Sequence, residues 1–505
     1  MNYLKRIVLA ASVAAMAVMS AQADHVLIIA ANDTHSQIEP AADGKGGVLR
    51  RRAIYDHLRH ENKNTLTLHA GDAVQGTVYF SLYGGEVEYA LIDSLGYDAI
   101  VMGNHEFDNG MKPLASHYQH MKAKKLSVNY DVSGTPLEGM IEPYIIKAYG
   151  DKRVAVFGIN VSPHGLISAK NYEGMRYVRS LDVADATARF LKEVLKVDYV
   201  VMLSHIGYTS YDPNEPNDVD IIKNSHYIDL VVGGHSHTVV KPGTEFALVP
   251  NADGKMIPIG QNGKSGKYVT TYDLDLETGA VEQKLIAVDN NWDQATQAYT
   301  AMKQWLQPYK NGVDSLMNNV VGISARSMKN SSAAAQNWVS DATMAIMPEL
   351  SGVEGIQFAI MNKGGIRTDM PEGPVTEGLL SSMFPFENCF MVLEISGADL
   401  LEALNVMAGR GGDAVSRELS VTYNDKGEIT SAKVKNKKVD PKKTYRMATI
   451  DYLANGGDYM VPLTRAKRLF VDENKYGIHI LDYVKRLQAQ GKKIDSTDEV
   501  RFKKK

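Results

Sequence analysis

The stretch AIVMGNHEFDNG, Ala99 to Gly110, joins a short apolar run to an amide, an imidazole and carboxylates set between two glycines. Four apolar residues stopped by glycine read as a buried strand, and polar groups are costly to bury without partners. The groups behind the run are therefore either an ordinary solvated loop or a cluster gathered around a charge. The same grammar recurs through the first half of the chain. VLIIAANDTH delivers Asp33 and His35, TLTLHAGD delivers Asp72, AIVMGNHEFD delivers Asn104, His105 and Asp108, VVMLSHIG delivers His205, and LVVGGHSH delivers His235 and His237.

From Asp24 to about Asp289 such apolar runs alternate with helical patterns, which predicts a layered α/β domain. VAVFGI, Val154 to Ile159, is a further strand. EVEYALIDSLG, Glu86 to Gly96, puts Val87, Ala90, Leu91 and Leu95 on one helical face before a glycine stop. KYVTTYDLDLETG, Lys267 to Gly279, alternates like an antiparallel strand entering a turn. In α/β sheets the carboxyl ends of the strands share one rim, so groups placed there converge although they lie far apart in sequence. Singly, Asp33 reads as a turn cap, Asp72 as a turn after glycine and any one histidine as surface or hydrogen-bonded core. Five runs ending in the same way share a single explanation.

Imidazoles, carboxylates and an amide oxygen without thiolate suit zinc, manganese or similar divalent ions. Seven such groups, Asp33, His35, Asp72, Asn104, His205, His235 and His237, exceed one tetrahedral site and suit two neighbouring ions. With only Asp33 and Asp72 as anionic ligands the pair retains positive charge, which fits a phosphate dianion.

The bulk sequence narrows the class further. Lys5 and Arg6 precede a 13-residue apolar stretch, Ile7 to Met19, and Ala21-Gln22-Ala23, the pattern of a secretory leader with a mature start near Asp24. A helical membrane crossing needs about 20 residues, more than this stretch offers. The protein is therefore expected to be periplasmic or otherwise secreted. The net charge of −4, from 55 basic and 59 acidic residues, argues against nucleic acid polymers or anionic lipid as bulk partners. The single cysteine, Cys389, excludes an internal disulfide. No further apolar run reaches membrane length.

The order DxH, GD, GNHE-F-D, SH, GHxH resembles the calcineurin-like metallophosphoesterases. GNHEFDNG together with QNGKSGKYV, Gln261 to Val269, resembles their periplasmic 5′-nucleotidase and UDP-sugar hydrolase branch. The resemblance implies an αββα-layered metal domain over 24–290, a linker helix over 291–319 and a smaller α/β substrate domain over 320–505. It implies that Asp33, His35, Asp72 and His237 hold one ion and Asp72, Asn104, His205 and His235 the other. His105 would then face the substrate and stabilise phosphoryl charge, with Asp108 favouring its protonated form. Glu106 is expected to support the fold.

In the second half, FAIMNKGGIR, Phe358 to Arg367, reads as a strand broken by two glycines that presents Arg367, a planar fork of donors suited to phosphate or carboxylate. TYRMATIDYLANGGDYM, Thr444 to Met460, repeats the strand and glycine pair and carries Asp458. By the resemblance, Asn362, Gly365 and Arg367 hold the polar end of a nucleotide, Phe390 and Tyr452 sandwich its base, and Asp458 binds ribose hydroxyls. Lys363 stands where relatives often have glycine, and Tyr452 where phenylalanine is common. The expected activity is hydrolysis of nucleoside 5′-monophosphates. UDP-sugars and 2′,3′-cyclic nucleotides are the alternative substrates, and non-catalytic nucleotide capture is the alternative of another class.

Overall fold

The structure, a computed structural model, describes residues 25–505 apart from 211 and 213, so the leader and the start near Asp24 lie outside the described residues. Among the described residues each apolar run quoted above forms a strand. Seven strands make one sheet in the order Val281–Ala287, Tyr268–Asp275, His25–Ala31, Thr65–His69, Ala99–Val101, Lys124–Leu126, Ile141–Glu142. Six make a second, in the order Leu248–Pro250, Met256–Gly260, Leu230–Val232, Tyr199–His205, Lys152–Asn160, Tyr144–Tyr149. The central strands of each are parallel. Tyr268–Asp275 runs antiparallel to both of its neighbours, as its alternation predicts.

The two sheets lie face to face between layers of helix. Val26, Ile28 and Ala30 meet Val154, Val156, Val201 and Leu203 between the sheets. The intervening Leu27 and Ile29 pack outward with Ile54 and Leu91 of helices Val48–Glu61 and Glu86–Leu95. On the opposite face Ala155, Phe157 and Ile159 pack on Ala184, Ala188 and Ile222 of helices Ser180–Arg189 and Asp218–Lys223. Burial on both faces explains why these strands are continuous apolar runs rather than alternating ones.

A 22-residue helix, Gln297–Asn318, follows with Pro308 inside it; its Met302, Leu306 and Val313 pack into the first domain's core. Beyond it a five-stranded mixed sheet, ordered Ala414–Val415, Phe358–Met361, Thr444–Ile450, Cys389–Ser396, Lys467–Lys475, is surrounded by a core of its own. Phe358–Met361 and Thr444–Ile450 are parallel neighbours, so the loops carrying Arg367 and Asp458 leave the sheet at the same edge. That edge meets the first domain through Lys170 Nζ to Asp451 Oδ2 at 2.9 Å and Arg367 Nη2 to Gln75 Oε1 at 3.1 Å. Among the described residues no helix is long and apolar enough to cross a membrane.

Helix Glu86–Leu95 carries a buried acid beneath the first metal-site loop. Glu88 is 4% exposed, accepts a hydrogen bond from Ser36 Oγ, and leaves Oε2 without a partner. Burial pushes its pKa up to about 7. The folded protein thus keeps this proton at pH values where the unfolded chain has already lost it, so the fold loses stability as pH rises from the ordinary carboxylate range to about 7. Glu88→Gln, which never ionises, should match the parent in thermal unfolding at pH 4.5. At pH 8 it should be more stable, by up to about 3 kcal/mol. A variant that melts lower than the parent at pH 8 would contradict this.

Candidate metal centre and substrate cleft

The loops that follow the parallel strands of both sheets meet at one edge of the sandwich. Asp33, His35 and Asp72 from the first sheet meet His205, His235 and His237 from the second. One ligand atom each from Asp33, His35, Asp72 and His237 lie within 4.8 Å of one another, and so do those of Asp72, His205 and His235. Asp72 is common to both groups. Its Oδ2 lies 3.3 Å from His205 Nε2 and 4.0 Å from His35 Nε2, and Asp33 Oδ1 lies 3.3 Å from His237 Nε2.

Several features of this rim fit cations. His35 Nε2 and His237 Nε2 point at each other across 3.0 Å. Asp33 Oδ1, Asn104 Oδ1 and His205 Nε2 are buried without a hydrogen-bond partner, an expensive arrangement that a shared cation would relieve. His205 Nδ1 is engaged with the Ala70 carbonyl at 2.5 Å, which fixes Nε2 as the free nitrogen. Burial holds His35 well below the usual histidine range and takes His235 down to about 3, so both imidazoles are neutral, the form that ligates metals.

The backbone is held in an unusual shape to achieve this. Asp33, His35, Asp72, His235 and His237 all have left-handed φ, between +45° and +79°. That region is sparsely populated by non-glycine residues and costs of order 1–3 kcal/mol per residue, a strain typical of functional sites. Glu106 secures it. Its buried carboxylate accepts from the backbone N–H of Asp72 at 3.0 Å, Ala73 at 2.8 Å and Gly103 at 2.5 Å, tying the loops after two neighbouring strands together. A Cβ on Gly103 would collide with Asp72 Oδ1, which is why the motif opens on glycine.

His105 borders the cleft beside this rim, with Nδ1 2.8 Å from Asp108 Oδ2 and its backbone N–H donating to Asp72 Oδ1 at 3.0 Å. Burial opposes a charge on His105, but the Asp108 and Asp72 carboxylates outweigh it and raise its pKa above the usual value. The cleft, about 1170 Å³, runs from Asp72, Asn104 and His105 to Arg367, Tyr452 and Asp458 of the second domain. Asn362 also lines it.

Two of the expected substrate contacts fall elsewhere. Phe390 is fully buried in strand Cys389–Ser396, packed on Tyr476 in the second-domain core, because the strand from Phe390 to Leu393 is covered on both faces. Phe386, four residues earlier in the preceding loop, borders the cleft instead, stacked on His105 at 5.9 Å with the Arg367 guanidinium 5.7 Å from its ring. Gly365 is buried and does not line the cleft; a Cβ there would lie 2.7 Å from Asn362 Oδ1, so its lack of a side chain leaves room for Asn362. Arg410 and Asp413, both lining the cleft, have no counterpart among the expected residues. The signal for Arg410 was present, since AGRGGD, Ala408 to Asp413, frames a cation with glycines as GGIR does.

A sandwich of two sheets with paired cation cradles at the carboxyl edge is the architecture of a metal-dependent phosphoesterase. The calcineurin-like phosphoesterase family profile matches residues 26–239, and the 5′-nucleotidase C-terminal domain profile matches 313–464. The chain is 25% identical to the trifunctional nucleotide phosphoesterase protein YfkN of Bacillus subtilis over 94% of its own length and 34% of that protein, so it spans about a third of that relative. Protein UshA of Escherichia coli is 25% identical over 86% of each chain. The crystal structure of a 5′-nucleotidase precursor from Thermus thermophilus is 26% identical and superposes with a TM-score of 0.83 over 95% of this chain and 99% of that one. The chain belongs to the calcineurin-like metallophosphoesterases that carry a 5′-nucleotidase C-terminal domain, and it is a phosphoester hydrolase.

Proposed function

We propose that the protein removes the 5′-phosphate from nucleoside monophosphates outside the cytoplasm, with Asp33, His35, Asp72 and His237 holding one divalent cation and Asp72, Asn104, His205 and His235 the other. The observation that carries this reading is the convergence of these side chains, from loops of two sheets, on a cleft whose far wall belongs to a second domain. Two such cations, zinc, manganese or similar, supply Lewis acidity and a nucleophile at neutral pH.

The remaining work falls to the chain's own groups. Asp108 accepts from His105 Nδ1, leaving Nε2 to donate to the phosphoryl oxygens as their charge develops. Arg367, anchored to Gln75, brings a second fixed positive charge to the same cleft. Phe386 and Tyr452 offer apolar surface for the base, on which stacking is worth about 1–3 kcal/mol and tolerates base identity. The domain division near 290 and 320 and the secreted location belong to this reading, supported by helix Gln297–Asn318 and by the leader sequence.

The test is phosphate release from AMP, UDP-glucose and a phosphodiester by the purified protein, with and without chelator. AMP should be turned over in a chelator-sensitive manner and faster than the other two. Faster turnover of UDP-glucose or the diester would reassign the substrate, and metal-loaded protein that binds AMP yet releases nothing would make the chain a nucleotide-capture protein.

A further inference from the structure

A four-stranded sheet of the second domain, far along the chain from the cleft motifs, has two unlike faces. Its order is Lys437–Lys438, Ile429–Val434, Leu419–Tyr423, Phe502–Lys504. Leu419, Val421, Ala432, Val434 and Phe502 turn inward to the second-domain core. On the outward face Lys433 stands directly opposite Lys438 on one neighbouring strand and Ser420 on the other, while Thr422 is opposite Ser431 and Lys503. The hairpin tip adds Lys435 and Lys437, and the loop beyond it adds Lys442 and Lys443, all of them exposed.

The stretch 429–443 thus carries six lysines and one carboxylate, Asp440, whose Oδ2 lies 4.0 Å from Lys443 Nζ. Among the described residues Lys433, Lys435, Lys437, Lys438, Lys442 and Lys503 have no carboxylate within 4.0 Å. Like charges directly opposite each other across a ladder destabilise it. Lys435 adds a second cost, because it shares the tight turn with Asn436 at left-handed φ, +47° and +64°, a conformation that glycine or asparagine adopts more cheaply. Lysine on an edge strand guards against pairing with another chain. That role does not reach Lys433, on an inner strand, or Lys435, in the turn. An extended anionic surface would relieve the whole face at once.

We propose that this lysine face docks the protein on a bilayer that bears anionic phospholipid headgroups. The inference goes beyond the nucleotidase reading and does not depend on it. A lysine ammonium is a compact, hydrated point charge on a flexible stem, which suits headgroup phosphates that are mobile and impose no fixed geometry. Each lysine brought to such a surface strengthens partitioning about fivefold. Nucleic acid fits less well, since single strands are held by aromatic stacking platforms and the outward positions between the lysines are Ser420, Thr422 and Ser431. The negative balance of the whole chain does not oppose contact through one face, because charges more than about 10 Å away are largely screened at 0.1 M ionic strength.

The experiment sediments the chain from Asp24 onward, which keeps every described residue and omits the apolar leader, with phosphatidylcholine vesicles made with or without phosphatidylglycerol. The parent should pellet with the anionic vesicles at low salt, be released at high salt, and stay in solution with phosphatidylcholine alone. The variant Lys433→Glu/Lys435→Glu/Lys437→Glu/Lys438→Glu should partition at least about a hundredfold more weakly. Lys122→Glu/Lys223→Glu/Lys303→Glu/Lys485→Glu, which has the same net charge and alters exposed lysines elsewhere, should stay within about threefold of the parent. Should the first variant fold poorly, Lys435→Gly/Lys438→Gln relieves both the turn and the opposed pair. It should melt no lower than the parent and still bind at least about tenfold more weakly. A parent that ignores the anionic vesicles, an equal loss in the variant altered elsewhere, or tighter binding to a single-stranded oligonucleotide than to the vesicles overturns the inference.

Discussion

The Asp72→Asn protein should release phosphate from AMP at least about a thousandfold more slowly than the parent, and should carry less bound metal after dialysis. Asp72 is the one side chain shared by both candidate cation groups, and with Asp33 it supplies all of their carboxylate charge. Asparagine keeps the volume and an acceptor for the His105 backbone N–H, so the loop geometry should survive. What it removes is the negative charge that two neighbouring cations would need between them. Metal content by elemental analysis and turnover under saturating metal test this together. A variant that binds as much metal as the parent and keeps about a tenth of its activity would show that Asp72 does not serve both cations.

The second large effect is expected at His105. His105→Ala should lower kcat by about a hundred- to a thousandfold, the usual loss when one donor to developing charge is removed, with KM changed little. The side chain belongs to neither candidate cation group, so metal content should be unaffected. Asp108→Asn should act more mildly and leave a diagnostic trace. Burial disfavours the charged imidazole, and the Asp108 carboxylate is the first group that overcomes it. A histidine with a raised pKa stays protonated up to that higher pH and loses its proton above it. Removing the Asp108 charge lowers that value, so the alkaline limb of the kcat profile should move to lower pH. A limb that stays in place in Asp108→Asn would mean that another group titrates there.

Much of this centre is legible without coordinates because each part of it is a local signal. A run such as VLII or YVVML becomes a strand by its own composition, and in a doubly covered sheet both faces are apolar, so the run is unbroken. The donor that follows a run sits at the carboxyl edge as a consequence of chain direction. The glycine before Asp72, Asn104 or His235 announces a tight approach. The left-handed φ at Asp33, His35, Asp72, His235 and His237 is a different matter. No residue type in those motifs demands it; at Asp72, Glu106, bonded to three backbone N–H groups of two loops, helps impose it.

The substrate wall shows where local signals stop. Phe386 and Phe390 are four residues apart in one segment, and choosing the ring that faces the cleft requires knowing where the strand begins, which its pairing with Thr444–Ile450 decides. Gly365 and Asn362 sit in one motif, yet Asn362 lines the cleft and Gly365 only makes room. Arg410 and Asp413 come into play through contacts with Lys363 and Asp458, about fifty residues away on either side. Residue order alone settles the layers, the chemistry at the strand ends and the side chains that meet at the rim, because strand propensity and chain direction act over a few residues. Folding decides which aromatic ring borders the cleft and which side chains surround Asp458, because those depend on partners that only the assembled molecule brings within a few ångströms.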